Sequence, residues 1–122
     1  KKRQGFGIFY QGELAGSIGF VKFDWESRST EIGYWIAVDF SGKGIITKAC
    51  KVLINYAFDE LEMNRIEIRC ATENVRSRAI PEKLGFQLEG VLRQSMWRHT
   101  KLLDIAIYGL LKEEWRTFNI KH

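Results

Sequence analysis

The chain has 122 residues, 45% of them hydrophobic and 28% charged, with a formal net charge of +4 and a pI near 9.2. That length accommodates one ordinary globular domain with a single core and makes a second domain improbable. Lys and Arg are scattered rather than blocked, so the charge suits an acidic small ligand at least as well as nucleic acid, and no apolar run is long enough to span a bilayer.

Residues Gly5 to Tyr10 and Leu14 to Phe23 are rich in aromatic and β-branched side chains and are separated by Gln11-Gly12-Glu13, a pattern that predicts a β-hairpin. A polar turn from Asp24 to Ser29 leads to a strand, Thr30 to Val38, whose continuous apolar end predicts burial on both faces. The segment Ser41-Gly42-Lys43-Gly44 follows. After it Ile46, Ala49, Cys50, Leu53, Ile54, Ala57, Phe58 and Leu61 recur at helical spacing, with Lys48, Lys51, Asn55 and Asp59 on the opposite face.

Arg65 to Ala71 alternates with period two and places Ile66, Ile68 and Cys70 on one side of a strand. Asn74 is expected to cap a shorter helix running to Leu84 and ended by Gly85. Strands are predicted around Phe86 to Leu92 and Leu103 to Leu111, then a short polar tail from Lys112 to His122. The order β-β-β-α-β-α-β-β predicts an α/β domain in which a mixed sheet carries its helices in crossover connections.

A strand that feeds glycines and then a helix gathers unpaired backbone N–H groups and the positive end of the helix dipole at one spot, an anion site in outline. A plain turn satisfies the same residues, and neither GxxxxGK[ST] nor GxGxxG is present. Cys50 and Cys70 lie among apolar neighbours and read as reduced core thiols of a cytoplasmic protein, although a cysteine acyl intermediate stays open.

The blocks Glu31-Ile32-Gly33-Tyr34-Trp35-Ile36-Ala37, Gly42-Lys43-Gly44, Tyr56-Ala57-Phe58, Asn64-Arg65, Glu73-Asn74, Ser77-Arg78-Ala79, Glu82-Lys83-Leu84-Gly85-Phe86, Glu89-Gly90 and Leu110-Leu111-Lys112 stand in a characteristic order and spacing. From about Tyr10 to Trp115 they resemble the GNAT acetyltransferases, and within them the ribosomal-protein-serine N-acetyltransferases and their bacillus-type relatives. The resemblance implies the GNAT fold: a mixed, mostly antiparallel sheet with a splayed strand pair and flanking helices. It also implies a further strand and two helices before the first hairpin, so this single domain is expected to be N-terminally incomplete, or else to have an acceptor site that is open or completed by another subunit. Exposed apolar surface beside Phe6 to Tyr10 would then favour a homo-oligomer.

The implied co-substrate is acetyl-CoA, its pyrophosphate on the backbone of Ser41, Gly42, Lys43, Gly44, Ile45, Ile46 and Thr47. The family signature Q/R-x-x-G-x-G/A is broken by Ser41 at its first position and Ile46 at its last, but the contacts it describes are largely backbone ones. Lys43 is either a charge on the phosphates or a solvated surface lysine. The resemblance also implies that Ile36, Ala37 and Val38 offer backbone groups to pantetheine, with the N–H of Val38 as oxyanion donor.

Glu31 occupies the family position of a general base, and reads equally as a strand carboxylate paired with a Lys or Arg. Asn74 and Ser77 are implied to contact the pantetheine arm and protonate the leaving thiolate, beside their plain reading as a helix cap and first turn. Many relatives place a Tyr acid seven residues after Asn74 and the ribosomal enzymes a Glu nineteen after Ser77; this chain has Pro81 and Met96. Pro81 is also expected to leave the Ser77 carbonyl without its helical partner. His99 reads as an exposed loop residue or a contributor to the acceptor mouth.

The expected activity is acetyl transfer from acetyl-CoA to a primary amine, foremost the N-terminal α-amine of a ribosomal or other protein. Small amines such as polyamines or aminoglycosides, and a non-catalytic acyl-CoA-binding module, are the alternatives. No direct nucleic-acid, membrane or metal partner is expected.

Overall fold

The computed structural model describes residues 4–37 and 44–121, and nine elements lie within them. Strands β1 (Gln4–Tyr10) and β2 (Glu13–Asp24) form an antiparallel hairpin through a two-residue loop at Gln11 and Gly12, and β3 (Ser29–Ile36) pairs antiparallel with β2. Helix α1 (Ile45–Asp59), β4 (Arg65–Ala71), α2 (Val75–Lys83), β5 (Gln87–Arg98), β6 (Lys101–Leu111) and α3 (Lys112–Lys121) follow. The sheet runs β1-β2-β3-β4-β6-β5, and β3–β4 is its one parallel pair. A parallel pair needs a crossover, and α1 is that crossover.

The pleat sorts side chains onto two faces. Ile18, Phe20, Ile32, Ile66, Ile68, Ala106, Tyr108 and Leu110 point to one face and form the core with Ile46, Cys50, Leu53, Ile54, Ala57 and Phe58 of α1. The expected helical stripe is therefore the buried one, and each fully buried Ile or Leu contributes about 1.5–3 kcal/mol. Leu84 at the end of α2 and Trp115 of α3 join the same core, so the helices cover one face of the sheet. The other face carries Glu31, Glu67 and Arg69, with a small apolar cluster of Ala71, Leu103 and Ile105.

Three expectations are corrected. The polar tail is a helix: Leu111, Trp115 and Phe118 recur at helical spacing, Glu114 Oε1 accepts the Leu111 N–H at 2.9 Å, and Trp115 is only 3% exposed. Its indole donates to Asn55 Oδ1 of α1 at 2.8 Å, and its ring stacks on Phe118. The strand expected to stop at Leu92 continues to Arg98, because its last residues pair with Leu103, Leu102 and Lys101 around a tight turn holding His99 and Thr100. The apolar end of β3 is not buried on both faces: Trp35 is 50% exposed beside a cavity.

Two clusters brace the elements that carry the cavity. Arg78 of α2 donates to the Tyr108 hydroxyl at 2.9 Å and to the Thr72 carbonyl at 3.1 Å, while Tyr108 donates to Glu82 at 2.6 Å. Helix α2 is thereby fixed to β6. On the other face Arg65 bridges Glu67 at 2.8 Å and Glu89 at 2.6 Å, and Arg69 adds a second bond to Glu67. Burial alone would raise the Glu67 carboxyl, but the bonds from Arg65 and Arg69 outweigh it and hold it below the usual carboxylate range; the Arg65 bond does the same for Glu89.

Replacing Trp115 with Ala is expected to cost about 3–5 kcal/mol, because a well-packed indole leaves a cavity and Asn55 loses its donor; urea unfolding measures it. For the ion network, depressed folded-state carboxyls give stability that is present above the ordinary value of 4.5 and lost as pH falls through the lowered ones. Arg65→Met should therefore lower stability at pH 7 by about 1 kcal/mol and flatten the decline below pH 4.5, read from unfolding midpoints across pH.

Candidate active site

The parallel ladder between β3 and β4 joins Ser29–Ile32 to Arg65–Ile68 and stops there, although β3 runs on to Ile36 and β4 to Ala71. Past Ile32 and Ile68 the two strands form a fork. On its outer side β3 stays zipped to β2, and the Ala37 N–H donates to the Ala15 carbonyl at 2.7 Å. In an antiparallel ladder successive residues alternate direction, so Tyr34 and Ile36 turn their backbone groups away from β2 and into the fork. Of the two described strand residues expected to serve a ligand, Ile36 thus has backbone groups to offer, whereas the Ala37 N–H is spent on β2.

A cavity of about 1000 Å³ opens at the fork, lined by Ile36, Glu31, Asn74 and Ser77 together with Tyr34, Trp35, Cys70 and Met96. The fold therefore brings together four of the expected site residues from two elements, β3 and α2 with its cap. Val38, Ser41, Gly42 and Lys43 lie outside the described residues. Gly44, Ile45, Ile46 and Thr47 stand apart from the cavity lining, at the start of α1.

The start of α1 is polarised and uncapped. Gly44 sits at the N-cap with φ 73°, a left-handed conformation that glycine adopts without steric cost, and has no side chain to bond the first-turn N–H groups. No acidic residue occupies that turn. An ordinary helix start gains about 0.5–2 kcal/mol from a side-chain cap; this one has none, and a helix start of that kind, with its dipole, suits an anion. Ile46 is 2% exposed, so its side chain belongs to the core and only its backbone is on offer.

Asn74 caps α2 as its sequence position predicts: its Oδ1 accepts the Ser77 N–H at 3.1 Å. No described residue accepts from its amide nitrogen, and the side chain lines the cavity. Ser77 also lines the cavity, and the Tyr34 hydroxyl donates to its carbonyl at 2.8 Å. Both backbone groups of Ser77 are thus engaged, leaving its hydroxyl as the part that can turn.

On the helix-free face Glu31 is 15% exposed at its side chain, lines the cavity, and approaches Lys22 Nζ at 3.8 Å. The ion pair fits the reading of Glu31 as a strand carboxylate, and its place in the cavity lining fits the reading as a base. The cavity also carries the guanidinium groups of Arg69, Arg76 and Arg98. Arg69 bonds Glu67; no described residue pairs with Arg76 or Arg98. Sequence reasoning passed over these arginines and Tyr34; the alternation that puts Arg69 on the face of Glu67 was visible, but the reach of Arg98 depends on the unforeseen length of β5. His99 is in the exposed turn, outside the lining.

The thiols are not poised as nucleophiles. Burial, then the neighbouring Cys70, pushes Cys50 up to about 12. Burial likewise raises Cys70, whose Sγ lies 3.8 Å from the Tyr34 hydroxyl. Cys70 is nonetheless more than a core residue, because it lines the fork. Among the described residues no cluster of His, Cys, Asp or Glu could hold a metal ion, and no helix is long and apolar enough to cross a membrane.

Comparison with known proteins agrees with this geometry. Residues 1–87 match the model of the acetyltransferase (GNAT) domain. The chain is 50% identical over 109 residues to YdaF of Bacillus subtilis strain 168, provisionally assigned as a ribosomal N-acetyltransferase, covering 89% of this chain and 60% of that protein. It is 34% identical to the ribosomal-protein-serine acetyltransferase of Escherichia coli K12, covering 85% of this chain and 58% of the relative. The chain thus spans about three fifths of the length of these curated relatives. Among solved structures, the microcin C7 self-immunity acetyltransferase MccE, in complex with acetyl-CoA and AMP, superposes with a TM-score of 0.83 at 34% identity, covering 90% of this chain and 61% of that one. A sheet forked at its single parallel pair, an uncapped helix start behind it and a family match over most of the chain lead to one conclusion: this chain belongs to the GNAT acetyltransferase family.

Proposed function

We propose that the protein transfers an acetyl group from acetyl-CoA to a primary amine, and that its preferred acceptor is a protein N-terminal α-amine. The fork carries this reading. It offers unpaired backbone groups at Ile36, a capped but still donating Asn74 and the Ser77 hydroxyl on one side, with Glu31 on the other. Acetyl-CoA, when bound, supplies an activated thioester; the residues present fit it, since the open start of α1 suits a pyrophosphate and the fork suits an amide-bearing arm.

In this reading the helix side of the fork holds the co-substrate and the helix-free face admits the acceptor. Ile36 and Asn74 hold the pantetheine arm by its amides, and the N–H of Val38 stabilises charge on the carbonyl oxygen. Glu31 would take one proton from the incoming ammonium through water; as the amine attacks and the C–S bond breaks, the second proton that the nitrogen sheds would replace the one Ser77 passes to the departing sulfur. Most of the rate comes from holding the amine against the thioester.

An α-amine, with pKa 7.7–8.0, is about a tenth neutral at pH 7, whereas a lysine amine at 10.4 is neutral in only about four molecules in ten thousand. A site without a Tyr at position 81 or a Glu at position 96 gives little help to a strong base, which favours the α-amine. The lining argues against a polyamine, because Arg69, Arg76 and Arg98 outnumber its one acidic residue, Glu31, a balance that disfavours a polycation. A spermidine N(1)-acetyltransferase of Escherichia coli K12 is 32% identical over 71% of this chain, so spermidine is the informative control.

Two outcomes are expected from the full-length protein. With acetyl-CoA at pH 7, CoA release should be fastest with peptide N-termini, at least tenfold slower with N-terminally blocked lysine peptides, and slowest with spermidine; faster turnover of spermidine or lysine would refute the acceptor assignment. Glu31→Gln should lower kcat about 10- to 100-fold at pH 7, with a smaller deficit at pH 9, where the α-amine deprotonates unaided. Direct transfer also requires inert cysteines: Cys50 and Cys70 should resist DTNB in the folded protein at pH 8 and react on unfolding, and rapid modification of Cys70 with an acetyl-dependent block would instead point to a thioester intermediate.

A further inference from the structure

Pro81 stands inside α2 and is fully buried. Having no N–H, it cannot donate to the carbonyl four residues earlier, that of Ser77. A half-buried carbonyl seeks another donor, and the Tyr34 hydroxyl provides one at 2.8 Å. Tyr34 lies on β3 two residues beyond Ile32, where the ladder to β4 ends. The bond therefore crosses the fork, from the free limb of the strand to the first turns of the helix. Burial, then the nearby Cys70 and Cys50, raises the phenol far above its ordinary range, so the hydroxyl remains a donor at any working pH.

We propose that Tyr34 is a positioning residue that sets the width of the fork, its hydroxyl occupying the carbonyl that Pro81 leaves vacant. The two residues act as one device. Any other amino acid at position 81 brings an N–H that competes for the Ser77 carbonyl within the helix and weakens the hold of Tyr34 on it. With Pro81 in place, Ser77 is held by Asn74 at its N–H and by Tyr34 at its carbonyl. Ile36 on the strand and Asn74 on the helix are then kept at a fixed separation. The proposal rests on the reading of the fork as the acetyl-CoA site and adds the element that keeps it open to one size.

The test uses full-length wild type, Tyr34→Phe, Pro81→Ala and the double variant, with two readouts. The first is the carbonyl carbon shift of Ser77, observed through the Arg78 amide in a three-dimensional HNCO spectrum. It should move upfield in Tyr34→Phe and return toward the wild-type value in the double variant. The second is acetyl-CoA affinity by titration calorimetry. Tyr34→Phe should weaken binding about five- to tenfold, the equivalent of one net hydrogen bond, whereas the same change in the Pro81→Ala background should matter less than twofold.

Equal losses in the two backgrounds would overturn the proposal, as would an unmoved Ser77 carbonyl in Tyr34→Phe. Should Pro81→Ala not fold, Tyr34→Phe decides alone: a shifted carbonyl with weakened binding supports the device, and either one without the other overturns it. Should wild type bind no acetyl-CoA, the reading of the site fails on its own, and amide exchange at Ile36 then decides whether Tyr34 holds the fork: faster exchange in Tyr34→Phe supports it, unchanged exchange overturns it.

Discussion

Four residue pairs of parallel ladder, and then none, is the constraint on which the rest of this structure turns. Backbone N–H and C=O groups at the centre of a sheet are ordinarily satisfied by the neighbouring strand, and leaving them unmade is costly. Here β3 keeps its outer edge zipped to β2 as far as Ala37, so it cannot collapse onto β4, while β4 is held by its seven-residue ladder to β6. Each limb is anchored on the side away from the opening. The fork is therefore a consequence of how the outer strands pair, and the groups it exposes are available to a ligand that can bond like a strand.

Placing the helices on one face of the sheet gives that opening two chemically different sides. On the helix side stand an uncapped helix start and, on α2, an amide held by a helix cap together with Arg76; on the other side stand Glu31, Arg69 and Arg98. In the proposed reaction a thioester reached from one side and an amine from the other would meet without displacing each other.

Much of this was legible in the residues. The helical stripe from Ile46 to Phe58 and the alternation of Ile66, Ile68 and Cys70 fixed which faces are buried, since burial of one face is what such patterns encode. Asn74 and Gly85 bounded α2 because a side-chain acceptor and a left-handed backbone are needed at those ends. Glu31, Asn74, Ser77 and Ile36 line one cavity, and their distance along the chain gave no sign of it without the resemblance. The terminal helix was hidden by its composition: Lys112, Glu113, Glu114 and Arg116 surround Trp115, and its order comes from a contact with Asn55, sixty residues away. The continuation of β5 was hidden for a related reason, because its polar residues gain their place only by pairing with β6. Pro81 was recognised as freeing a carbonyl, but the hydroxyl that takes that carbonyl belongs to a residue 43 positions distant along the chain.

The glycine that ends α2 ties these observations together. Gly85 has φ 89°, and a Cβ there would sit 2.7 Å from the ring of Phe118. The last helix is thus seated directly against the point where α2 stops, and that ring also stacks on the buried Trp115. Helix α2 is gripped at its beginning by Tyr34 and Arg78 and at its end by α3. A segment that contributes no group to the cavity lining thus backs the helix that presents Asn74 and Ser77, and loosening α3 would be felt as a slackening of the fork before any loss of the sheet.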